Sequence, residues 1–184
     1  MSNINFKIEL KKIHWLASYG EDDDLDRCAH GKVTVIIGDE IIADNSEDED
    51  DFWCLSAMAF HLLRTLDMSH TEESKVGDCL VTASGHHIDH HKNDPYVHIE
   101  TEYCAGYGKN WWVIHEEDTI KLETESSKVI GISFNHYKEE VLSFVDKVEA
   151  FYKNSKPKIL PDDHYDKEGY LKFWKEWNER RAKW

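Results

Sequence analysis

Apolar and polar residues alternate from the first residues of the chain. Ile4, Phe6, Ile8 and Leu10 are separated by single polar side chains, which sets one face of a strand against a core. Val33 to Ile37 is a continuous, largely β-branched run that ends at Gly38-Asp39, a turn signal, and Ile41 and Ile42 begin a return strand. Residues 52 to 68, FWCLSAMAFHLLRTLDM, carry Phe52, Leu55, Met58, Phe60, Leu62, Leu63 and Leu66 on nearly every helical face. That pattern predicts a central, buried helix. Between 76 and 134 the period shortens. Strands are predicted over 78–83, 96–104, 111–115, 119–124 and 129–134, at the spacing of an antiparallel meander. Within it Val97, Ile99, Thr101 and Tyr103 share one face, and His98, Glu100 and Glu102 the other.

Asn135 is the expected N-cap of a second helix whose apolar positions, Tyr137, Val141, Phe144, Val145, Val148, Phe151 and Tyr152, keep a 3–4 spacing as far as a break before Pro157. A polar connector leads to a last helix over about 168–182, with Phe173, Trp174 and Trp177 as its stripe and Glu176, Arg180 and Arg181 outside it. No repeat or low-complexity linker divides the chain. The expected fold is α+β, a single domain over 1–184 with an antiparallel β-meander sheet packed with two or three helices.

Charge narrows the choice of partner. Lys and Arg number 22 against 37 Asp and Glu, a formal net charge of −15 over 184 residues. Such a surface repels phosphate backbones and anionic headgroups, so neither nucleic acid nor membrane is an expected partner. A basic protein or a cation is, and plain solubility is the competing explanation. Hydrophobic residues make up 40% of the chain and seven are Trp, enough apolar material to argue against disorder. No apolar run reaches the length of a membrane span, and the charged, alternating start is unlike a signal peptide. The expected location is therefore the cytoplasm. Cys28, Cys54, Cys79 and Cys104 are widely scattered and are expected there as free buried thiols.

The segment richest in chemistry is Gly85-His86-His87-Ile88-Asp89-His90-His91. His86, His87, Asp89, His90 and His91 are the right residue types for a divalent metal, and a solvated loop is the plainer reading. Asp89-His90-His91 resembles the namesake triplet of the DHH phosphoesterases, although no His-x-Asp-x-Asp pattern precedes it. His87, Asp89 and His90 also match three of the four positions of the metallo-β-lactamase-type box, with Gly85 where its first histidine stands. Either resemblance implies a metal-dependent hydrolase, for which Glu100 and Glu102 are the nearest general-base candidates.

Other motifs are few. There is no nucleophile elbow and no Gly-rich phosphate loop. Cys28 lies two residues from His30 in Arg27-Cys28-Ala29-His30-Gly31, where a buried thiol beside a turn is favoured over a catalytic pair. Arg64, a single cation inside the apolar helix, is expected on an exposed face, or else paired with a carboxylate. Trp111 and Trp112 should divide, one ring buried and one outward.

The composition, together with the Trp-rich tail FWKEWNERR, resembles the small acidic bacterial proteins that neutralise toxins by covering a cationic site. That resemblance implies a non-catalytic protein-binding domain, with Asp22, Asp23 and Asp24, Glu47, Asp48, Glu49 and Asp50, and Trp111 or Trp112 as contacts to a basic partner such as a toxin nuclease. No cofactor is required by this reading. The alternative is the metal-dependent hydrolase of the His86–His91 loop, and a third is a subunit whose aromatic surfaces serve homodimerisation.

Overall fold

A computed structural model describes residues 5–16, 21–47, 53–82, 87–91, 94–100 and 109–184. The first sheet contains β1 (Phe6–Trp15), β2 (Ala29–Ile37), β3 (Glu40–Asp44) and the two-residue β4 (Trp53–Cys54). All its pairings are antiparallel, with β2 bonded to each of the others. Phe6, Ile8 and Leu10 lie opposite Ile37, Val35 and Val33. The alternation in β1 is therefore the signature of a strand with one face inward, and the unbroken β-branched run in β2 that of a strand buried on both faces. Gly38, at φ +65°, is the first residue of the two-residue β2–β3 turn, a position where glycine carries no steric cost.

The second sheet is a meander of β7 (Trp111–Glu116), β8 (Thr119–Thr124) and β9 (Val129–Ser133). Of the strands expected over 78–83 and 96–104, residues 83 and 101–104, with Thr101 and Tyr103, lie outside the described residues. Val81 forms an isolated bridge to Lys109, and only the short antiparallel pair β5 (Ile88–Asp89) and β6 (His98–Ile99) is regular there among the described residues. Val97 and Ile99 are nevertheless buried while His98 and Glu100 face out, so the alternation is kept without an extended ladder.

Helix α1 (Leu55–Thr65) is buried at every position and starts later than expected, because Trp53 and Cys54 pair with β2 instead. Its apolar side chains form one cluster with β1, β2, β7, β8 and the other two helices. Each buried leucine there contributes roughly 1.5–3 kcal/mol. Gly31 makes this approach possible: a Cβ there would stand 2.0 Å from the Lys12 carbonyl oxygen and 2.7 Å from Leu55 Cδ1. Helix α2 (Phe134–Lys153) is capped by Ser133 rather than Asn135, its hydroxyl accepting the His136 N–H at 3.2 Å. Helix α3 (His164–Arg181) begins earlier than expected because Asp163 caps it, accepting the N–H groups of Tyr165 and Asp166.

Arg64 is buried, not on an exposed face, and Glu176 and Arg180 turn inward with it. Arg64 donates from Nε and Nη2 to the two Glu176 oxygens, both at 2.8 Å, and to the carbonyls of Val76 and Val97. Arg180 reaches Glu176 at 2.9 Å and Asp67 at 2.8 Å. The charges balance, and the network ties α1 to α3 and to the segment before β6. Among the described residues no helix is long and apolar enough to cross a membrane.

Candidate functional site

A cleft of about 490 Å³ opens where the segment 23–30, the start of α1 and the first turns of α3 meet. Leu16 and Leu25 border it and are 53% and 60% exposed, so its apolar lining continues onto the surface. Asp23, Asp26 and Asp166 supply negative charge and, among the described residues, Arg27 supplies the positive side chain of the lining. Asp23 accepts the Leu25 N–H at 2.8 Å and Asp26 the Cys28 N–H at 3.2 Å. These short turns fix where both carboxylates point. Tyr152 of α2 steadies the same segment: its hydroxyl donates to the Arg27 carbonyl at 2.8 Å and accepts the Ala29 N–H at 3.2 Å. Burial raises the Tyr152 and Tyr170 hydroxyls above the ordinary tyrosine value, so both stay neutral.

Cys28, His30 and Ser56 line the deep end of the cleft. Cys54 lies beside them as the N-cap residue of α1, and the sulfurs of Cys28 and Cys54 are bonded, with Cα atoms 6.6 Å apart. The expectation of free thiols is thereby corrected for this pair, while Cys79 remains a buried thiol. The two cysteines stand 26 positions apart in sequence, and the β2–β4 pairing, which sets His30 opposite Cys54, brings them together. Nothing in the local sequence announces β4, so only the proximity of Cys28 to His30 was legible. His30 Nδ1 lies 2.8 Å from the Cys28 carbonyl. A carbonyl only accepts, so Nδ1 carries a proton there.

The acidic candidates are used unevenly. Asp22 accepts from Lys158 Nζ at 2.8 Å and from the Lys156 N–H at 2.6 Å. These bonds and the adjacent positive charge hold its carboxyl below the usual carboxylate range. Lys158 is itself buried over the Trp15 ring, so Asp22 is engaged by a cation of its own chain. The Asp24 carbonyl accepts the Ile159 N–H at 2.8 Å. Of the three, Asp23 reaches the cleft. Glu47 is exposed, whereas Asp48, Glu49 and Asp50 lie outside the described residues. Trp111 is wholly buried and Trp112 half-buried against the His70 ring, with centroids 5.2 Å apart. The expected division between faces holds, but Trp112 is far from fully outward.

The histidine segment points in several directions. His90 Nε2 donates to the Tyr165 carbonyl at 3.0 Å, and its ring stacks on Tyr165 at 4.6 Å. The Tyr165 hydroxyl donates to Asp89. His91 Nε2 lies 3.3 Å from the other Asp89 oxygen, and His87 is exposed. His86 and Glu102 fall outside the described residues, and the Glu100 N–H donates to the His87 carbonyl at 2.9 Å. Asp89 and His91 are thus brought together, while His90 is spent on α3. Among the described residues the cluster whose ligand atoms converge, all within 4.8 Å of one another, is Cys28, His30 and Cys54. No protein-family model, no curated protein and no solved structure matches the chain, so the chemistry of its own residues must carry the functional reading.

Proposed function

We propose that the protein is a non-catalytic binding domain that takes a basic, partly apolar segment of a partner protein into the cleft between residues 23–28 and α3. The neutralisation of a basic toxin nuclease fits such a role. The observation that carries the reading is the composition of the cleft: among the described residues that line it, three carboxylates stand against one guanidinium, beside two leucines that are more than half exposed. What sets Leu16 and Leu25 apart from singly exposed apolar side chains is that they adjoin the apolar lining of the cleft. An arginine or lysine with an apolar neighbour satisfies both halves of the site at once.

The two halves do different work. Rim carboxylates in water contribute about 0.2–1 kcal/mol per ion pair, so Asp23, Asp26 and Asp166 act chiefly on association rate and partner choice. The affinity comes from apolar area, with Leu16, Leu25 and Tyr170 as the surfaces covered. The net charge of −15 extends the attraction beyond the contact zone. A nuclease acts where nucleic acid lies, so its inhibitor belongs in the cytoplasm. The test is a titration of ¹⁵N-labelled protein with a six-residue peptide of alternating Arg and Leu. Amide shifts should concentrate at Leu16, residues 23–28 and residues 161–170. Shifts centred instead on acids remote from the cleft, such as Glu116, Glu117 and Asp118, would remove the reading.

A further inference from the structure

We infer that Cys28, His30 and Cys54 form a zinc site when the disulfide between the two cysteines is reduced, with the fourth coordination position turned toward the cleft. The inference is independent of what occupies the cleft mouth. A tetrahedral zinc ion with Zn–S near 2.3 Å and Zn–N near 2.0–2.1 Å sets its ligand atoms roughly 3.3–3.8 Å apart. The two sulfurs and a ring nitrogen of His30 already lie within 4.8 Å of one another, so small rotamer changes after reduction reach that geometry.

Four features point the same way. All three ligands are buried, yet Cys28 and His30 line the cleft, which gives an ion an entry path. The hydrogen bond from His30 Nδ1 to the Cys28 carbonyl orients the ring, a contact of the outer-shell kind that metal-bound histidines make. Ser56 Oγ lies 3.5 Å from the Cys28 sulfur and 3.4 Å from that of Cys54, placed to donate to a thiolate. Cys54 is the N-cap residue of α1, where the positive end of the helix favours a thiolate.

The balance is simple. Reduction of the cystine takes two electrons and two protons and gives two thiols: a dithiol supplies both and becomes a disulfide, whereas a phosphine supplies the electrons and becomes its oxide, with water giving the oxygen and the two protons. Zinc then displaces both thiol protons, and the two thiolates neutralise the dication. A neutral complex suits a buried site, where two bare thiolates would not. A reducing compartment keeps such a pair as thiols, so the metal-bound form is the one expected there.

The test uses the full-length protein without an affinity tag, titrated with Co(II) as a spectroscopic stand-in for zinc. Phosphine-reduced protein should take up one equivalent, with sulfur-to-cobalt charge-transfer bands and tetrahedral d–d bands that one equivalent of zinc abolishes. Oxidised protein, which has the same fold, should show neither. Cys28→Ser, Cys54→Ser and His30→Ala should each weaken or abolish the bands, while Cys79→Ser and His91→Ala keep them. Reduced protein that binds no cobalt, or binds it without charge-transfer bands, would overturn the site. So would bands that persist in both cysteine variants.

Discussion

Replacing Glu176 by Gln should be among the most damaging single changes in the molecule, although shape and volume are nearly conserved. Glu176 accepts from Arg64 at 2.8 Å twice, from Arg180 at 2.9 Å and from the Val97 N–H at 3.2 Å. Both guanidinium groups are about 5% exposed, so water cannot take the place of the lost carboxylate. The variant leaves two buried cations facing one carboxylate, that of Asp67. Breaking a buried pair in this way costs about 3–5 kcal/mol. For a chain of this length each kcal/mol shifts Tm by about 2–4 °C, so the drop should be on the order of 10 °C. Urea unfolding followed by tryptophan fluorescence reads the loss directly. The double replacement Arg64→Met with Glu176→Met should be less destabilised than Glu176→Gln, since it removes a charge with its partner. A loss below about 1 kcal/mol, or a double variant worse than the single one, would refute the reasoning.

Three further outcomes follow from the same structure. His61 is fully buried, its Nδ1 donates to the Cys79 carbonyl, and desolvation, aided by the nearby Arg64 charge, lowers its pKa to about 3. The unfolded chain binds this proton near pH 6.5 and the folded one near 3, so stability should fall as pH drops through that window. The slope should approach about 1.4 kcal/mol per pH unit, and comparing urea midpoints at pH 7 and 5 for wild type and His61→Leu should show it flattened in the variant. Reducing the Cys28–Cys54 bond in metal-free protein releases a loop whose ends stand 26 positions apart and should cost about 3–4 kcal/mol, read as a lower thermal midpoint in a phosphine reductant with chelator. Asp163→Ala removes the acceptor for the Tyr165 and Asp166 N–H groups and should cost about 1 kcal/mol in the same melt.

Period and propensity were enough for much of the fold. The alternation in β1, the β-branched run in β2, the β7–β8–β9 meander and the helix around Val141 to Val148 all rest on local patterns that tertiary contacts reinforce. Failures came where a distant partner decides. Glu176 and Arg180 look like the solvent side of α3 because a buried charge network leaves the same sequence pattern as an exposed face. Trp53 and Cys54 read as helix, yet pairing with His30 and Gly31 holds them extended. The pairing of Cys28 with Cys54 was invisible for the same reason, one lying just before β2 and the other at a helix cap 26 positions on. Of the acids that line the cleft, the sequence reading named Asp23 but not Asp26 or Asp166, which single acids in mixed segments do not advertise. Asp22 looked available, and its partner Lys158 lies in a connector that carries no periodic signal.

On the proposed function, acids around one cleft, and not acidity in general, recruit a cation. Two variants separate these. Asp23→Lys/Asp26→Lys/Asp166→Lys and Glu116→Lys/Glu117→Lys/Asp118→Lys each change the formal charge by two units at three positions, from −15 to −9. Calorimetric titration with the alternating Arg-Leu peptide at fixed salt should show affinity falling at least about tenfold in the cleft variant and little in the other. Equal losses in both would contradict the claim and leave only the general charge of the surface.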